Sequence, residues 1–294
     1  MIMINLIGEQ PIPNLLPILY FNPPKNIILY SDTTLKVGER LEKILDNCKK
    51  YEVEPYNIQG IKNILKEILD PSEEYIFNIT GGTKIMSVAL YQVALENKFN
   101  FIYFQSEGNQ SILYKYKVNS DSSITNEKII LPELINIDIY LRAHLPDYIT
   151  NNSNEQNIGF NYEKSIVDIL KRNNFEVTAN IKPKGEGNQL EIDAVIRLKG
   201  TNRVGIAEIK IGDQKEEGPK KGIDQLALAG QREYLGTYTQ RFLITSRVLS
   251  KQIKELAIAH RISVIDEIEQ NRNNNNLNEQ SIKKLLQRIK EKLS

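Results

Sequence analysis

The chain has 294 residues, enough for two domains, and its 38 basic and 37 acidic residues leave a net charge of +1, so any nucleic-acid binding has to be local rather than global. A single cysteine, Cys48, excludes a disulfide scaffold and a thiolate zinc site. The only histidines, His144 and His260, argue against a histidine metal centre or a Ser-His-Asp triad, so a metal would be held by carboxylates and would be magnesium or manganese.

The opening MIMINLIGEQ lacks the basic flank and cleavage site of a signal peptide. No apolar run approaches the roughly 20 residues that span a bilayer. A cytoplasmic protein with no membrane partner is expected. Residues 2–7 (IMINLI), 26–31 (NIILYS), 52–57, 74–80 (EYIFNIT) and 100–105 (NFIYFQ) have strand character, and 34–50, 60–69 and 83–97 have helix character. Leu35, Val37, Leu41, Ile44 and Leu45 recur near helical spacing. The alternation predicts an α/β fold with a parallel, Rossmann-like sheet covered by helices on both faces. Ligands of such sheets sit beyond the carboxyl ends of the strands, where the turns after Ile7, Ser31 and Thr80 would lie together. Residues 111–117 (SILYKYK) alternate like a strand of a terminal hairpin, and 119–128 are polar and loop-like. A connecting helix is expected at 133–145 and a linker at 150–157 (TNNSNEQN). The resulting division is 1–132, a connection at 133–157, and 158–294.

The second half predicts a helix at 160–173, strands at 175–182, 189–198 and 203–211, and a helix at about 220–235. A strand at 241–245, a helix at 250–260 and a short strand at 262–265 follow. The end is an amphipathic helix with Ile282, Leu285, Leu286, Ile289 and Leu293 on one stripe. Lys283, Lys284, Arg288, Lys290 and Lys292 lie opposite, either as a solvated face or as a track for a phosphate backbone. The stretch 210–222 (KIGDQKEEGPKKG), with Gly212, Gly218 and Gly222, has the composition of a surface loop.

The sharpest chemistry lies in QLEIDAVIRLKGTNRVGIAEIKIG, residues 189–212. A two-residue turn at Gly200-Thr201 with glycine first suits a type II′ hairpin. Its register pairs residues whose numbers sum to about 401, placing Asp193 opposite Glu208 and Glu191 opposite Lys210. Two facing carboxylates repel unless a cation lies between them. A magnesium or manganese ion held by Asp193, Glu208 and the Ile209 carbonyl resolves the conflict and would acidify a water. Lys210 would hold the attacking water or offset negative charge on a phosphate. Glu163, on the preceding helix, can reach a second ion or a metal-bound water, and Gln225, on the following helix, can orient water or the scissile phosphate. The bland alternative is a solvated hairpin face.

Glu163, Asp193 and Glu208-Ile209-Lys210, in the order helix, strand, strand, resemble the PD-(D/E)XK nuclease pattern over about residues 155–265. Ile192-Asp193 stands where that pattern has Pro-Asp.

In FNITGGTKIMSVALYQ, residues 77–92, an apolar strand runs into two glycines, Thr83, Lys84 and a helix. The helix N-terminus offers free N–H groups and partial positive charge, and the glycines admit a ligand close to the backbone. A tight turn that serves packing alone is the alternative. The Walker pattern is absent. Together with MINLIGEQPIPNLLPILYF and NIILYSDTT, this stretch resembles the CARF domains of type III CRISPR ancillary nucleases. The resemblance implies an N-terminal Rossmann-like CARF domain joined to a C-terminal restriction-endonuclease-like PD-(D/E)XK domain. It implies a homodimer that binds a cyclic oligoadenylate, cyclic tetraadenylate in the group most similar, and an endonuclease allosterically activated to cut DNA or RNA in antiviral defence. By matching positions it implies that Thr80, Gly81, Gly82, Thr83 and Lys84 contact phosphate or ribose. It likewise implies that Gln10, Pro11, Ile12 and Asn14 frame adenine, with Ser31, Asp32, Thr33 and Gln105 on the same edge. A constitutive restriction-like or repair nuclease and a non-catalytic CARF regulator are the competing readings.

Overall fold

The computed structural model describes residues 1–150, 158–184, 190–211, 217–271 and 276–294. They form two compact units, Met1–Leu134 with Arg142–His144, and Ile135–Leu141 with Leu145–Ser294. The expected linker, beyond Thr150, and residues 212–216 of the expected loop lie outside the described residues. Among the described residues no helix is long and apolar enough to cross a membrane.

The first unit is built on a seven-stranded sheet. Strands β1 (Ile2–Leu6), β2 (Lys25–Tyr30), β3 (Cys48–Glu52), β4 (Tyr75–Asn78) and β5 (Asn100–Glu107) run parallel. Strands β6 (Gln110–Val118) and β7 (Ile124–Ile130) add an antiparallel meander. The order is β3-β2-β1-β4-β5-β6-β7, so the winding reverses between β1 and β4, where open α/β sheets bind ligands. Ile2, Ile4 and Leu6 alternate into a core with Phe77 and with Ile61, Leu65, Met86 and Leu90 of helices α3 (Ile58–Ile68) and α4 (Lys84–Asn97).

Several elements depart from expectation for local reasons. The helix expected at 34–50 is α2 (Leu35–Ile44), because Leu45 is extended and Asn47 takes a left-handed φ of 49°. The strand expected at 52–57 therefore begins earlier, as β3. Helix α1 (Ile12–Phe21) has no counterpart in the sequence reading. It contains Pro13 and Pro17, and every residue from Ile12 to Ile18 is buried, so no polar face marks its period. The polar stretch 119–128 runs into β7, an exposed edge strand without hydrophobic alternation.

The second unit has a six-stranded sheet in the order β13-β12-β11-β10-β9-β8. Its strands are β8 (Tyr148–Thr150), β9 (Phe175–Pro183), β10 (Ile192–Leu198), β11 (Val204–Lys210), β12 (Gln240–Thr245) and β13 (Ser263–Ile265). After β7 the chain forms α5 (Ile137–His144) before entering β8. Helices α6 (Ile158–Arg172) and α9 (Glu279–Leu293) share one core with Ala194, Ile196, Ala207 and Ile209. Helices α7 (Glu217–Ala229) and α8 (Lys251–Ala259) pack together, α7 against β11 and β12 and α8 against β13. Part of the expected loop is helix, because α7 starts at Glu217 and takes in Gly218 and Gly222.

The β10–β11 ladder pairs Ala194 with Ala207, Val195 with Ile206 and Arg197 with Val204, the expected register. The turn is different. Thr201 N–H donates to the Leu198 carbonyl at 3.2 Å, and Gly200, at φ 89°, is the third residue of that turn instead of the second. The register survives although the turn differs, in two strands that are buried along nearly their whole length between β9 and β12.

In the first unit the loops after β1 and β4 touch backbone to backbone. A Cβ on Gly81 would lie 2.1 Å from the Leu6 carbonyl oxygen and 2.8 Å from the Gly8 nitrogen. Gly81→Ala should therefore destabilise the chain by about 3 kcal/mol, read as a lower urea midpoint at unchanged slope; an unchanged midpoint contradicts this packing.

Candidate functional site

Asp193 sits near the start of β10, one step beyond the paired residues, and Glu208 and Lys210 close β11. At this point the Asp193 carboxylate, in place of the β10 backbone, accepts the Ile209 N–H at 2.7 Å. Lys210 Nζ donates to the same Asp193 oxygen at 3.1 Å and lies 2.7 Å from Glu208 Oε2. The side chains are 11 % exposed for Asp193, 1 % for Glu208 and 24 % for Lys210. Strand alternation explains the grouping, since Ala207 and Ile209 fill the α6–α9 core while Glu208 and Lys210 face α7.

Gly222 of α7 makes the space. A Cβ there would lie 3.0 Å from Leu243 Cδ1, 3.6 Å from Glu208 Cβ and 3.7 Å from Lys210 Cε. Expected in a surface loop, this glycine lies three residues from Gln225 on one helix face, a spacing that signals the shared face. Gln225 lies on α7 one turn further, with a buried Oε1 that has no hydrogen-bond partner. Glu191, expected opposite Lys210, pairs with Lys182 of β9 at 3.3 Å, leaving Lys210 to Asp193 and Glu208.

The electrostatics follow from one cation shared by two buried carboxylates. Burial first, then the Asp193 charge, pushes the Glu208 carboxyl up to about 8, with Lys210 opposing. Burial would lower the Lys210 ammonium, but Asp193 and Glu208 together overcome it and raise its pKa, so the amine stays charged. Glu163 of α6 is pushed up to about 7 by burial and by Asp193, with Lys210 opposing. The group thus carries one negative charge too many for its dry surroundings and takes up a proton, a demand that a divalent cation also meets.

Among the described residues no cluster of three or more His, Cys, Asp or Glu could hold a metal ion. The donors that do fit are two carboxylates and a backbone oxygen. The N–H and C=O of one strand residue point to the same edge, and the Ile209 N–H points to Asp193, so its carbonyl is on that side too. An incomplete oxygen set that leaves positions for water suits magnesium or manganese.

The predicted ligand residues of the first unit gather at the carboxyl edge of its sheet, with differing duties. The Asn14 amide donates to the Leu6 carbonyl at 2.7 Å, while its buried Oδ1 has no partner. Both polar atoms of Gln10 are buried without partners, as is Nδ2 of Asn5. Pro11 and Ile12, at the start of α1, are buried. Thr80 is committed to the fold, donating to Asn78 Oδ1 at 2.6 Å and accepting Phe104 N–H at 2.8 Å. Thr83 caps α4 through Met86 N–H and donates to the Pro55 carbonyl at 2.8 Å. Gly82, at φ 71°, and Lys84 are exposed. The Ser31 hydroxyl is buried and shared with Thr33 and Thr34, and Asp32 accepts the Thr33 N–H. Gln105 is exposed and inside β5, which continues to Glu107 instead of ending there. Asn5 and Asn78, bonded to each other at 3.2 Å, were missed because strand asparagines look unremarkable in sequence.

Fold and sites together define a two-sheet α/β protein with a ligand-type sheet edge in one unit and a buried carboxylate–lysine cluster in the other. Residues 2–134 match the Card1 CARF domain family. No curated protein matches the chain. Can2 from Sulfobacillus thermosulfidooxidans in complex with cyclic tetra-adenylate is similar in fold, at 17 % identity and TM-score 0.73 over 99 % of both chains. So is protein VC1899 from Vibrio cholerae, at 14 % identity and TM-score 0.69 over 98 % of this chain and 96 % of the other. A type III CRISPR defence DNA nuclease activated by cyclic oligoadenylate matches at 12 % identity and TM-score 0.55, over 85 % of this chain and 46 % of its own.

Because both raised carboxyls bind protons more tightly in the folded chain, they favour folding at low pH. That contribution is lost as pH rises from about 4.5 through 7 to 8. In metal-free buffer Glu208→Gln should melt close to the unmodified chain at pH 5 and clearly above it at pH 8. Parallel melting curves across that range contradict the assignment.

Proposed function

We propose that the chain is a metal-dependent endonuclease that hydrolyses phosphodiester bonds of DNA or RNA, activated allosterically by cyclic tetraadenylate in type III CRISPR defence. Residues 1–132 form the CARF sensor, 133–157 the connection and 158–294 the PD-(D/E)XK nuclease, and the working species is a homodimer. The observation that carries the nuclease reading is the meeting of Asp193, Glu208 and Lys210 at one buried point between β10 and β11. The match of residues 2–134 to the Card1 CARF domain family supports the sensor reading, and the fold shared with Can2 in its cyclic tetra-adenylate complex supports the choice of activator.

Asp193, Glu208 and the Ile209 carbonyl would hold Mg2+ or Mn2+, which supplies an acidified water and charge neutralisation at a phosphate oxygen. Lys210, charged throughout the neutral range, holds negative charge on the attacked phosphate. Glu163, with a carboxyl near neutrality, can accept the proton of the attacking water. The unpartnered Oε1 of Gln225 accepts a hydrogen bond from that water and orients it.

In the sensor, Gly81, Gly82, Lys84 and the first N–H groups of α4 take the ligand's phosphates. Gln10 and Asn14, whose buried polar atoms lack partners, take its adenine edges. A ring of repeated adenylates suits the repeated surface of a two-fold dimer. Gating requires that the ligand bind the cutting arrangement more tightly than the resting one. A complete switch from 1:99 to 99:1 needs a preference of about 10⁴.

The test is cleavage of plasmid, single-stranded DNA and RNA with Mn2+ and cyclic tri-, tetra- or hexaadenylate added in turn. Cyclic tetraadenylate should accelerate cutting by on the order of 100-fold or more, and Glu208→Ala and Lys210→Ala should each remove a similar factor. Equal cutting with and without the cyclic nucleotide contradicts the gating, and full activity in both variants contradicts the site.

A further inference from the structure

The open edge of the second sheet carries a feature that the active site does not use. β13 is the terminal strand, with α8 against it and α9 on the core side. Along it runs a groove of about 630 Å³ whose charged lining is Lys254, Arg261, Arg288 and Lys292 against Asp266 and Glu291. A second hollow of about 310 Å³ continues along α9 past Lys283 and Lys284 and shares Arg288 with the first. In a chain of net charge +1 this is a local excess of cations.

The carboxylates do not balance them. Asp266 is spent on Lys254 at 2.6 Å and Lys284 at 3.3 Å, and Glu291 lies 3.5 Å from Arg288. Among the described residues no carboxylate is paired with Arg261, Lys283 or Lys292, all of them exposed. Arg241, beside Arg261, has its guanidinium pKa lowered by burial and by that neighbouring charge, so cations here crowd cations. The terminal strand also presents backbone N–H groups on its free edge, and N–H groups and cations are the usual donors to phosphodiester oxygens. β13 is two strands from β11 in the same sheet, about 10 Å across it.

We infer that the groove along β13 and α9, through Arg261, Lys283 and Lys292, binds the sugar-phosphate backbone of the nucleic acid at the edge of the sheet that carries the cleavage site. The role of the groove rests on the nuclease reading, whereas its binding does not. Edge cations have another ordinary use, the prevention of strand-to-strand pairing between copies, and the test separates the two.

Glu208→Gln chain in metal-free buffer is titrated against fluorescein-labelled single-stranded DNA and RNA of about 20 nucleotides, by anisotropy over a series of salt concentrations. Adding Arg261→Gln, Lys283→Gln and Lys292→Gln together should weaken binding about tenfold or more and flatten the slope of log affinity against log salt by about two, at about 0.7 per lost contact. Each single substitution should flatten it by a part of that amount, which keeps the test valid if the triple variant folds poorly. An unchanged slope, no binding by the parent, or unchanged binding with new self-association overturns the groove. Wild-type chain that cuts nothing but shows the expected slopes removes the nuclease reading and leaves the groove standing.

Discussion

Two acidic side chains held face to face with one ammonium between them set the terms for the second unit. Asp193 and Glu208 are both nearly dry, and Lys210 neutralises only one of them. Such a group cannot relax into water, so it must take a proton or a second cation, and each choice couples the cluster to its surroundings. The rest of the unit keeps it in place. The core under Ala207 and Ile209 fixes which way β11 faces, and Gly222 lets α7 close over Glu208 without displacing it.

The first unit obeys a different constraint, close approach of backbone. Gly8 and Gly81 bring the turns after β1 and β4 together where the sheet reverses its winding, and no side chain fits between them. Buried polar atoms of Asn5, Gln10 and Asn14 collect there without partners. Unpaired buried amides cost free energy, so a fold that keeps them implies a ligand or water that satisfies them. Thr80 and Thr83, by contrast, spend their hydroxyls on the scaffold. The loop therefore separates into residues whose polar groups hold the edge and residues with buried polar atoms that take no part in it.

How much of this was legible in sequence depends on whether one face of an element is polar. The β10–β11 register was read from a Gly200-Thr201 turn, and it held although the turn around Gly200 has another geometry. Helix α1 was invisible because its residues from Ile12 to Ile18, Asn14 included, are all buried, and β7 because it is an exposed strand whose isoleucines do not alternate. The end of α2 is marked by the left-handed Asn47, and Gly218 and Gly222, loop-like in composition, lie inside α7, so neither boundary leaves a periodic signal. Glu191 shows the limit of register alone, since a neighbouring strand offered Lys182 as a better partner.

Binding of Mn2+ to the metal-free chain, followed by calorimetry in buffers of differing ionisation heat near pH 6.5, tests the carboxylate cluster most directly. One strong ion per chain is expected, displacing about one proton as it binds, with Asp193→Asn abolishing both signals. Binding that persists unaltered in Asp193→Asn, or that releases no proton, would contradict a shared divalent-ion pocket.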